Sequence, residues 1–420
     1  MLLAARCFGI GFDNEDPTIA DSAVRVFVTA RGIENYCVKN IQSAIGTIQG
    51  SIAAMEIQFT VAGISIELNN GRIIKVDVSN MDVFLQNDSA VLKLSNVELD
   101  IVFELKLEQK TFPYLYDTGS MSLQISDFTI QTYLSVEFND ECKNNFTLQT
   151  RDTTVNIKTF QIQFQCNNQV LLNSISLFIT GFLKDLLNGD IGKQLGSNMM
   201  TALMKLLTEF SYLPRMDYDK PFGVDQRYFA GLQITENNIQ VNSTGQRCLY
   251  NKDEVYCHGH LKQTVTQTRT FFTNHHVQYQ IEKLAFNSGF DLYLKEERIF
   301  DGIKIQNVTL TKFHNTGAEI VVTLDVGGTP QILTYLEPVM VRLVRVNQDG
   351  IDFARFIIRL TNLLTKTTLS SSQQLALSAY FDNSYRSYDL IYANALGVSV
   401  EKAQIIYLDN NWVHIGSFIE

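Results

Sequence analysis

Between Ile57 and Lys110, apolar and polar residues alternate with a period of two in the runs IQFTVAGISIEL, RIIKVDVSNMDVFLQ and AVLKLSNVELDIVFELKLE. Such alternation puts every second side chain on one face of an extended chain, so these runs are strands with one apolar and one polar face. They are rich in Ile, Val and Phe, which pack well on a pleated surface. Asn69-Asn70-Gly71 and Asn87-Asp88-Ser89 punctuate them as turns, which predicts an antiparallel meander. Met121 to Phe138 and Thr154 to Gln165 continue the pattern. A sheet apolar on one side must cover that side with another layer.

Two stretches have the helical period to supply it. After a strand at Val24 to Thr29, the segment ARGIENYCVKNIQSAIGTIQGSIAAM places Ile33, Cys37, Ile41, Ile45, Ile48 and Ile52 at steps of three or four, with Gly46 and Gly50 weakening the helix. Further on, Val170 to Leu213 repeats the pattern through Ile175, Phe178, Ile179, Phe182 and Leu186. A break at Asn188-Gly189 follows, and the period resumes at Leu195, Met199, Ala202, Leu203, Leu206 and Phe210. Lys184, Asp185, Lys193, Lys205 and Glu209 fall mostly between these positions and give the helix a wet side. Asn173, Lys184, Asp185 and the Asn-Gly-Asp break leave no apolar run of about 18 to 20 residues, so no membrane span is predicted here. Periodicity alone leaves two readings open, a long core helix and a helix lining a lipid cavity.

Leu213-Pro214, with Pro221 soon after, ends this helix and marks a boundary. The expected division is a tail or atypical secretion signal at 1–16, an N-terminal domain at 17–216 and a C-terminal domain at 217–420. The second half is again dominated by alternating runs, among them IKIQNVTLTK, GAEIVVTLDV, PQILTYLEPVMVRLVRVNQ and QQLALSAYF, all expected as strands. The segment HHVQYQIEKLAFNSGFDLYLKEE reads as strand, short helix, strand, and SYDLIYANALGV as a short helix. Two last strands meet across Asp409-Asn410-Asn411.

At 420 residues the chain can bury two sizeable cores, and 45% hydrophobic against 19% charged residues is the composition of a folded protein. A formal charge of -10 argues against binding through phosphates, so no nucleic-acid partner is expected. Of six cysteines, Cys142 with Cys166 and Cys248 with Cys257 are expected as disulfides, and Asn87, Asn145, Asn242 and Asn307 head Asn-x-Ser/Thr sequons expected to carry glycans. Together they predict a secreted or lumenal location.

No arrangement of residues has the spacing of a nucleophile elbow, a zinc-peptidase helix, a phosphate loop or a dinucleotide fingerprint, so no enzyme and no cofactor are expected. Cys248, Cys257, His258 and His260 contain zinc-type donors, but alternation along a strand aims Cys257 away from both histidines, and a disulfide or plain hairpin is the preferred reading, with no metal. His275, His276, His314 and His414 are read as solvated.

The order of opening strand, amphipathic helix, long meander, cysteine pair and long helix ending in Leu-Pro, then a second sheet-rich half, resembles the bactericidal/permeability-increasing protein and lipopolysaccharide-binding protein family. VRVFVTARGIENYCVKNIQSAI, SLFITGFLKDLLNGDIGKQLGSNMMTALMKLLTEFSYLP and VQYQIEKLAFNSGFDLYLKEE carry the resemblance, together with Cys142 and Cys166. It implies an α+β fold: an elongated, two-barrel tubular lipid-binding shape, with long twisted antiparallel sheets wrapped around long amphipathic helices and a central sheet joining the halves. It also implies a slot for phospholipid or another acyl lipid, exchanged at a transient membrane surface. Ile33, Ile41, Ile45, Ile48, Phe178, Phe182 and Leu186 are the candidate lining residues, chosen by helical phase. The alternative is an innate-defence-type binding module for microbial surfaces or lipopolysaccharide that does not exchange lipid. Residues 1–216 hold 16 basic against 23 acidic side chains, which does not favour an anionic headgroup. The second half looks shortened relative to the family.

Overall fold

The structure, a computed structural model, describes residues 22–139, 142–191, 215–216, 222–224, 228–251, 256–258, 261, 265, 274–295, 298–314, 317–346, 351–358, 360–382, 387–389 and 398–419. Strand β1 (Val24–Thr29) runs directly into helix α1 (Ala30–Ala53). Five strands follow: β2 (Ile57–Val61), β3 (Ile64–Gln86), β4 (Ser89–Gln109), β5 (Leu115–Asn139) and β6 (Cys142–Gln165). Helices α2 (Gln169–Ser174) and α3 (Ser176–Leu186) come next, and a π-helical turn, Leu187–Ile191, continues α3 where a break at Asn188-Gly189 was expected. The chain divides into two compact units, a smaller one of Ile33–Val136 with Leu148–Lys205 and a larger one of the remaining residues.

In the smaller unit β2 to β6 form one sheet in sequence order. Its long strands keep one face apolar by a device the alternation did not reveal. In β4 the alternating buried residues are Ala90, Leu92 and Leu94, with Val91 buried between them, then Val97, Leu99, Ile101, Phe103, Leu105 and Leu107, so the phase changes from even to odd. At the change the register shifts between Leu94 and Val97, and Asn96 has φ 56°. In β5, Met121, Leu123 and Ile125 give way to Phe128, Ile130 and Leu134 beyond Asp127, φ 53°. In β3, Ile64, Ile66 and Leu68 are buried before, and Met81, Val83 and Leu85 after, two register shifts, one between Asn69 and Arg72, where Asn70 has φ 50°, and one between Ile73 and Lys75. An extra residue would flip every later side chain to the other face, and a bulge restores the original one. Asn and Asp tolerate the left-handed backbone such bulges use.

The predicted Asn69-Gly71 turn is therefore a bulge within one strand of 23 residues. Gly71 sits in it because a Cβ there would lie 2.6 Å from Ile52 Cγ2 and 2.7 Å from Phe103 Cε1. The predicted turn at Asn87-Asp88 is present between β3 and β4, with Asp88 at φ 62°.

The larger unit adds β7 (Arg215–Met216), β8 (Phe222–Val224), β9 (Tyr228–Ile234), β10 (Asn238–Ser243), β11 (Arg247–Asn251), β12 (Tyr256–His258), β13 (Val277–Glu282) and helix α4 (Lys283–Leu294). Then come β14 (Arg298–Phe300), β15 (Ile303–His314), β16 (Gly317–Val326), β17 (Thr329–Glu337), β18 (Val339–Val346), β19 (Ile351–Ile358), helix α5 (Ser371–Asp382), β20 (Ser387–Asp389), β21 (Val398–Leu408) and β22 (Trp412–Ile419). One antiparallel sheet has the order β21-β22-β13-β1-β10-β9, so the opening strand of the chain pairs with strands of the second half. Three further sheets are β12-β11-β8-β7, β14-β15-β16-β17 and β18-β19-β20.

Helix α4 packs on β15. Asn287 donates from Nδ2 to the Leu310 carbonyl at 3.1 Å and accepts from the Leu310 N–H at 2.8 Å, beside a bulge between Leu310 and Lys312. The segment QQLALSAYF, expected as a strand, lies in α5. Its start is a reciprocal cap: the Gln373 N–H donates to Ser370 Oγ at 3.2 Å, and the Ser370 N–H donates to Gln373 Oε1 at 3.0 Å. Of the expected helix in SYDLIYANALGV, Ser387–Asp389 form β20, Val398 begins β21, and residues 390–397 lie outside the described residues. The final hairpin is as expected, with Asp409 Oδ1 accepting from the N–H groups of Asn411 and Trp412 at 2.9 and 2.7 Å.

His275, His276 and His414 are buried, not solvated. His414 lies 3.8 Å from Asp409, but burial outweighs that carboxylate and holds its pKa down at about 4. Glu282, which caps α4 by accepting from the Leu284 N–H, is pushed up to about 7 by burial.

Candidate functional site

The apolar interior of the smaller unit is built by closing the inward face of the bulged sheet with helices. Helix α1 is fastened to β3 at two levels. Glu34 Oε1 accepts from the Val83 N–H at 2.9 Å, and Gln49 Oε1 accepts from the Ile73 N–H at 2.7 Å, next to the bulge that frees that group from the ladder. Ile33, Tyr36, Cys37 and Ile52 of α1 are buried, and burial alone raises the Cys37 thiol to about 12, so it is a structural thiol.

The second helical layer starts from a polar anchor. Asp117, in β5, accepts from the N–H and the Nδ2 of Asn168 through Oδ2, both at 2.8 Å, and through Oδ1 from Asn167 Nδ2 at 3.3 Å and the Thr118 N–H at 2.9 Å. These bonds, the Asn168 side chain first, hold the carboxyl below its ordinary range. Nearby, β5 and β6 approach so closely at Gly119 that a Cβ would lie 2.1 Å from the Gln165 carbonyl oxygen.

From this anchor α2, α3 and the π turn present Leu172, Ile175, Ile179, Leu183 and Leu187 as one buried stripe at steps of three and four. Phe182 leaves that stripe and stacks on Phe59 of β2, ring centroids 4.4 Å apart and planes at 28°. Since α2 follows β6 and Phe59 belongs to β2, the helical layer bridges the two edges of the sheet. Thr132 falls in the inward phase of β5, and its hydroxyl is paired with Thr153 Oγ1 at 2.8 Å, so it brings no free polar group inside.

The structure revises several expected site residues. Ile33 is buried in α1, while the side chains of Ile41, Ile45 and Ile48 lie outside the described residues. Phe178 is 70% exposed and Phe182 39% exposed, so neither belongs to the buried stripe, and Leu186 is half-buried beside it. Phe and Ile recur on neighbouring helical positions here, and the helix turns its aliphatic side inward.

Cys166 is a free thiol, so the expected Cys142–Cys166 bridge is not made. Cys248 is disulfide-bonded and buried, while the side chain of Cys257 lies outside the described residues.

Asn242 is placed unlike an exposed glycan acceptor. It is buried in β10, flanked by β1 and β9, and its Oδ1 accepts from Gln240 at 2.8 Å. Asn87 is exposed at a turn and Asn307 on β15, and the side chain of Asn145 is outside the described residues.

No protein-family profile matches the chain, and no curated protein matches its sequence. Among solved structures, the crystal structure of lipopolysaccharide binding protein superposes with a TM-score of 0.60 at 14% identity, over 95% of this chain and 99% of that one. The chain has the fold of lipopolysaccharide binding protein. Takeout 1 of Epiphyas postvittana (TM-score 0.23, 14% identity, 39% of this chain and 87% of that one) and P47 of Clostridium botulinum E1 (TM-score 0.23, 9% identity, 95% and 99%) superpose too loosely to add to that statement. An open cleft of about 470 Å³ in the larger unit, lined by Val326, Thr329, Gln331, Ile332, Lys366 and Thr368, lacks the continuous apolar wall an acyl chain needs.

Proposed function

We propose that the chain is a secreted or lumenal lipid-binding protein that works without catalysis, holding the acyl chains of a phospholipid-like molecule between the bulged sheet and helices α1 and α3. The observation that carries the reading is the closure of an apolar sheet face by a helix layer reaching from β6 to β2, in a chain with the fold of a protein named for binding a lipid-bearing glycan. Burying acyl chains gains about 0.8 kcal/mol per methylene, so such a site needs area and dryness more than polar chemistry. The acidic balance of residues 1–216 favours a zwitterionic or neutral headgroup over lipopolysaccharide. The disulfide at Cys248 and the exposed sequons at Asn87 and Asn307 support the compartment.

The test is uptake of a fluorescent phosphatidylcholine by purified protein and its release to acceptor vesicles. Uptake with release supports the proposal. Binding to intact bacteria or lipopolysaccharide without uptake replaces it with the surface-binding alternative.

A further inference from the structure

The sheet of the smaller unit carries an aromatic patch on the face opposite its apolar interior. Phe84 of β3 pairs with Val91 of β4, and Val91 with Tyr133 of β5, so the three side chains form one row across three strands. Their chain neighbours Val83, Leu85, Leu92 and Leu134 are buried on the inner face, which sets this row on the outer one. There Phe84 is 53% exposed and Tyr133 39%, while Val91 between the two rings is buried. Gln131 Nε2 donates to the Tyr133 hydroxyl at 2.9 Å and holds that ring. Single exposed apolar residues need no explanation, but two rings in register on one row form a patch.

The patch adjoins the end of a hairpin. Strand β3 ends at Gln86 and β4 begins at Ser89, so Asn87 and Asp88 alone connect them, and both are exposed. Asn87 heads the sequon Asn87-Asp88-Ser89. Gln86 lies two residues beyond Phe84 on the same face, ~7 Å along the strand. The row between the turn and the rings is Gln86, Ser89 and Ser135, and Ser89 Oγ donates to Gln86 Oε1 at 3.5 Å. Two of those three side chains are serines, so little stands between Asn87 and the rings.

We propose that Asn87 carries an N-linked glycan whose first sugars lie on Phe84 and Tyr133. The C–H groups on the face of a pyranose ring are slightly positive and an aromatic face is negative, so the two stack while the sugar hydroxyls stay in water. Aromatic side chains bury ~150 to 250 Å² each, so two half-exposed rings offer roughly 200 Å², against ~800 Å² per partner in a standard protein interface. Such a shelf suits one or two sugars and is too small for a protein. A glycan attached beside it needs little affinity of its own, because the covalent link keeps it at the patch. Glycosylation of Asn87 rests on the secreted or lumenal reading above, and the stacking is measured apart from it.

The experiment is endoglycosidase cleavage of the native full chain, secreted from a eukaryotic host that builds high-mannose glycans and followed site by site by glycopeptide mass spectrometry. The enzyme cuts between the first two sugars, and the glycan at Asn307 serves as the internal reference. Cleavage at Asn87 is expected to be about fivefold slower in wild type than in Phe84→Ser/Tyr133→Ser, the worth of one favourable aromatic contact, with Asn307 cleaved equally in both. Phe84→Leu, which keeps bulk and removes the ring, gives the same comparison with a smaller change to the surface, and Phe84→Tyr should keep the protection. Equal rates at Asn87 in wild type and the variants lacking rings overturn the inference. So does a bare Asn87 in a chain whose Asn307 is glycosylated. Both sites bare overturns the lumenal reading together with it. Phosphatidylcholine uptake by the same samples is expected to be equal, and its absence from wild type counts against the lipid-binding reading alone.

Discussion

Leu183 separates a lipid slot from a filled core. It is 1% exposed, in the middle of the aliphatic stripe of α3 that closes the sheet. Replacing it by Trp adds bulk that a packed core can accommodate only through strain, at about 1 to 3 kcal/mol of stability. An interior that holds acyl chains has the alternative of displacing lipid. Excluding two methylenes at about 0.8 kcal/mol each removes ~1.6 kcal/mol of binding, or roughly 15-fold in affinity. The variant carries its own reporter, because the native chain has a single tryptophan, Trp412, which is fully buried in β22 of the larger unit. Phosphatidylcholine brominated on its acyl chains would quench the new indole and leave Trp412 unaffected. The expected outcome is an unchanged melting temperature in lipid-free protein, a lipid affinity lowered about 15-fold, and quenching of the residue-183 emission at saturating lipid. A melting temperature lowered by several degrees, with no quenching at any lipid concentration, would refute the slot.

Other consequences can be checked independently. Phe178→Ala, on the exposed side of α3, should alter phospholipid uptake less than twofold. Stability should respond to acid through two buried groups of opposite sign: His414, with its folded pKa near 4, contributes stability above its ordinary 6.5 that is lost as pH falls toward 4, whereas Glu282, raised to about 7, contributes stability below its ordinary 4.5 that is lost as pH rises toward 7. Each effect is at most about 3 kcal/mol. Glu282→Gln should therefore steepen the loss of stability between pH 7 and 4.5 in urea titrations, and an unchanged slope would count against the assignment. Asn96→Val places a β-branched residue at φ 56° and should cost roughly 1 to 3 kcal/mol, while Asn96→Gly should be nearly neutral. Intact-mass alkylation of native protein should label Cys166 and leave Cys37 unmodified until unfolding.

Most of the strand architecture was legible because period-two alternation is a local property of the chain. The bulges were not, although their signal is present: in Leu94-Ser-Asn-Val97 the apolar phase jumps by three around an Asn, the residue able to adopt a positive φ. The same oversight made Asn69-Asn70-Gly71 look like a turn. Helix α5 was hidden by the mixed periodicity of its apolar residues, yet Ser370 three residues before Gln373 is a capping signature.

The site was half legible. The two helices were evident from their spacing, but aromatic and aliphatic residues adjoin on α3, so periodicity could not say which turned inward; Ile179 and Leu183 did, and Phe178 did not. The Cys142–Cys166 pairing failed: one continuous strand begins at Cys142 and ends just before Cys166, and Cys166 is a free thiol. The burial of Asn242 depended on β10 joining β1 across more than two hundred residues of sequence, which no local pattern encodes.

The most direct measurement of the central claim is native mass spectrometry of the chain purified from a secreting host without detergent, followed by solvent extraction of its lipids. The expected result is a population heavier than the protein by one acyl lipid, lost on extraction and restored by added phosphatidylcholine. A single lipid-free mass that added phospholipid does not shift would contradict it.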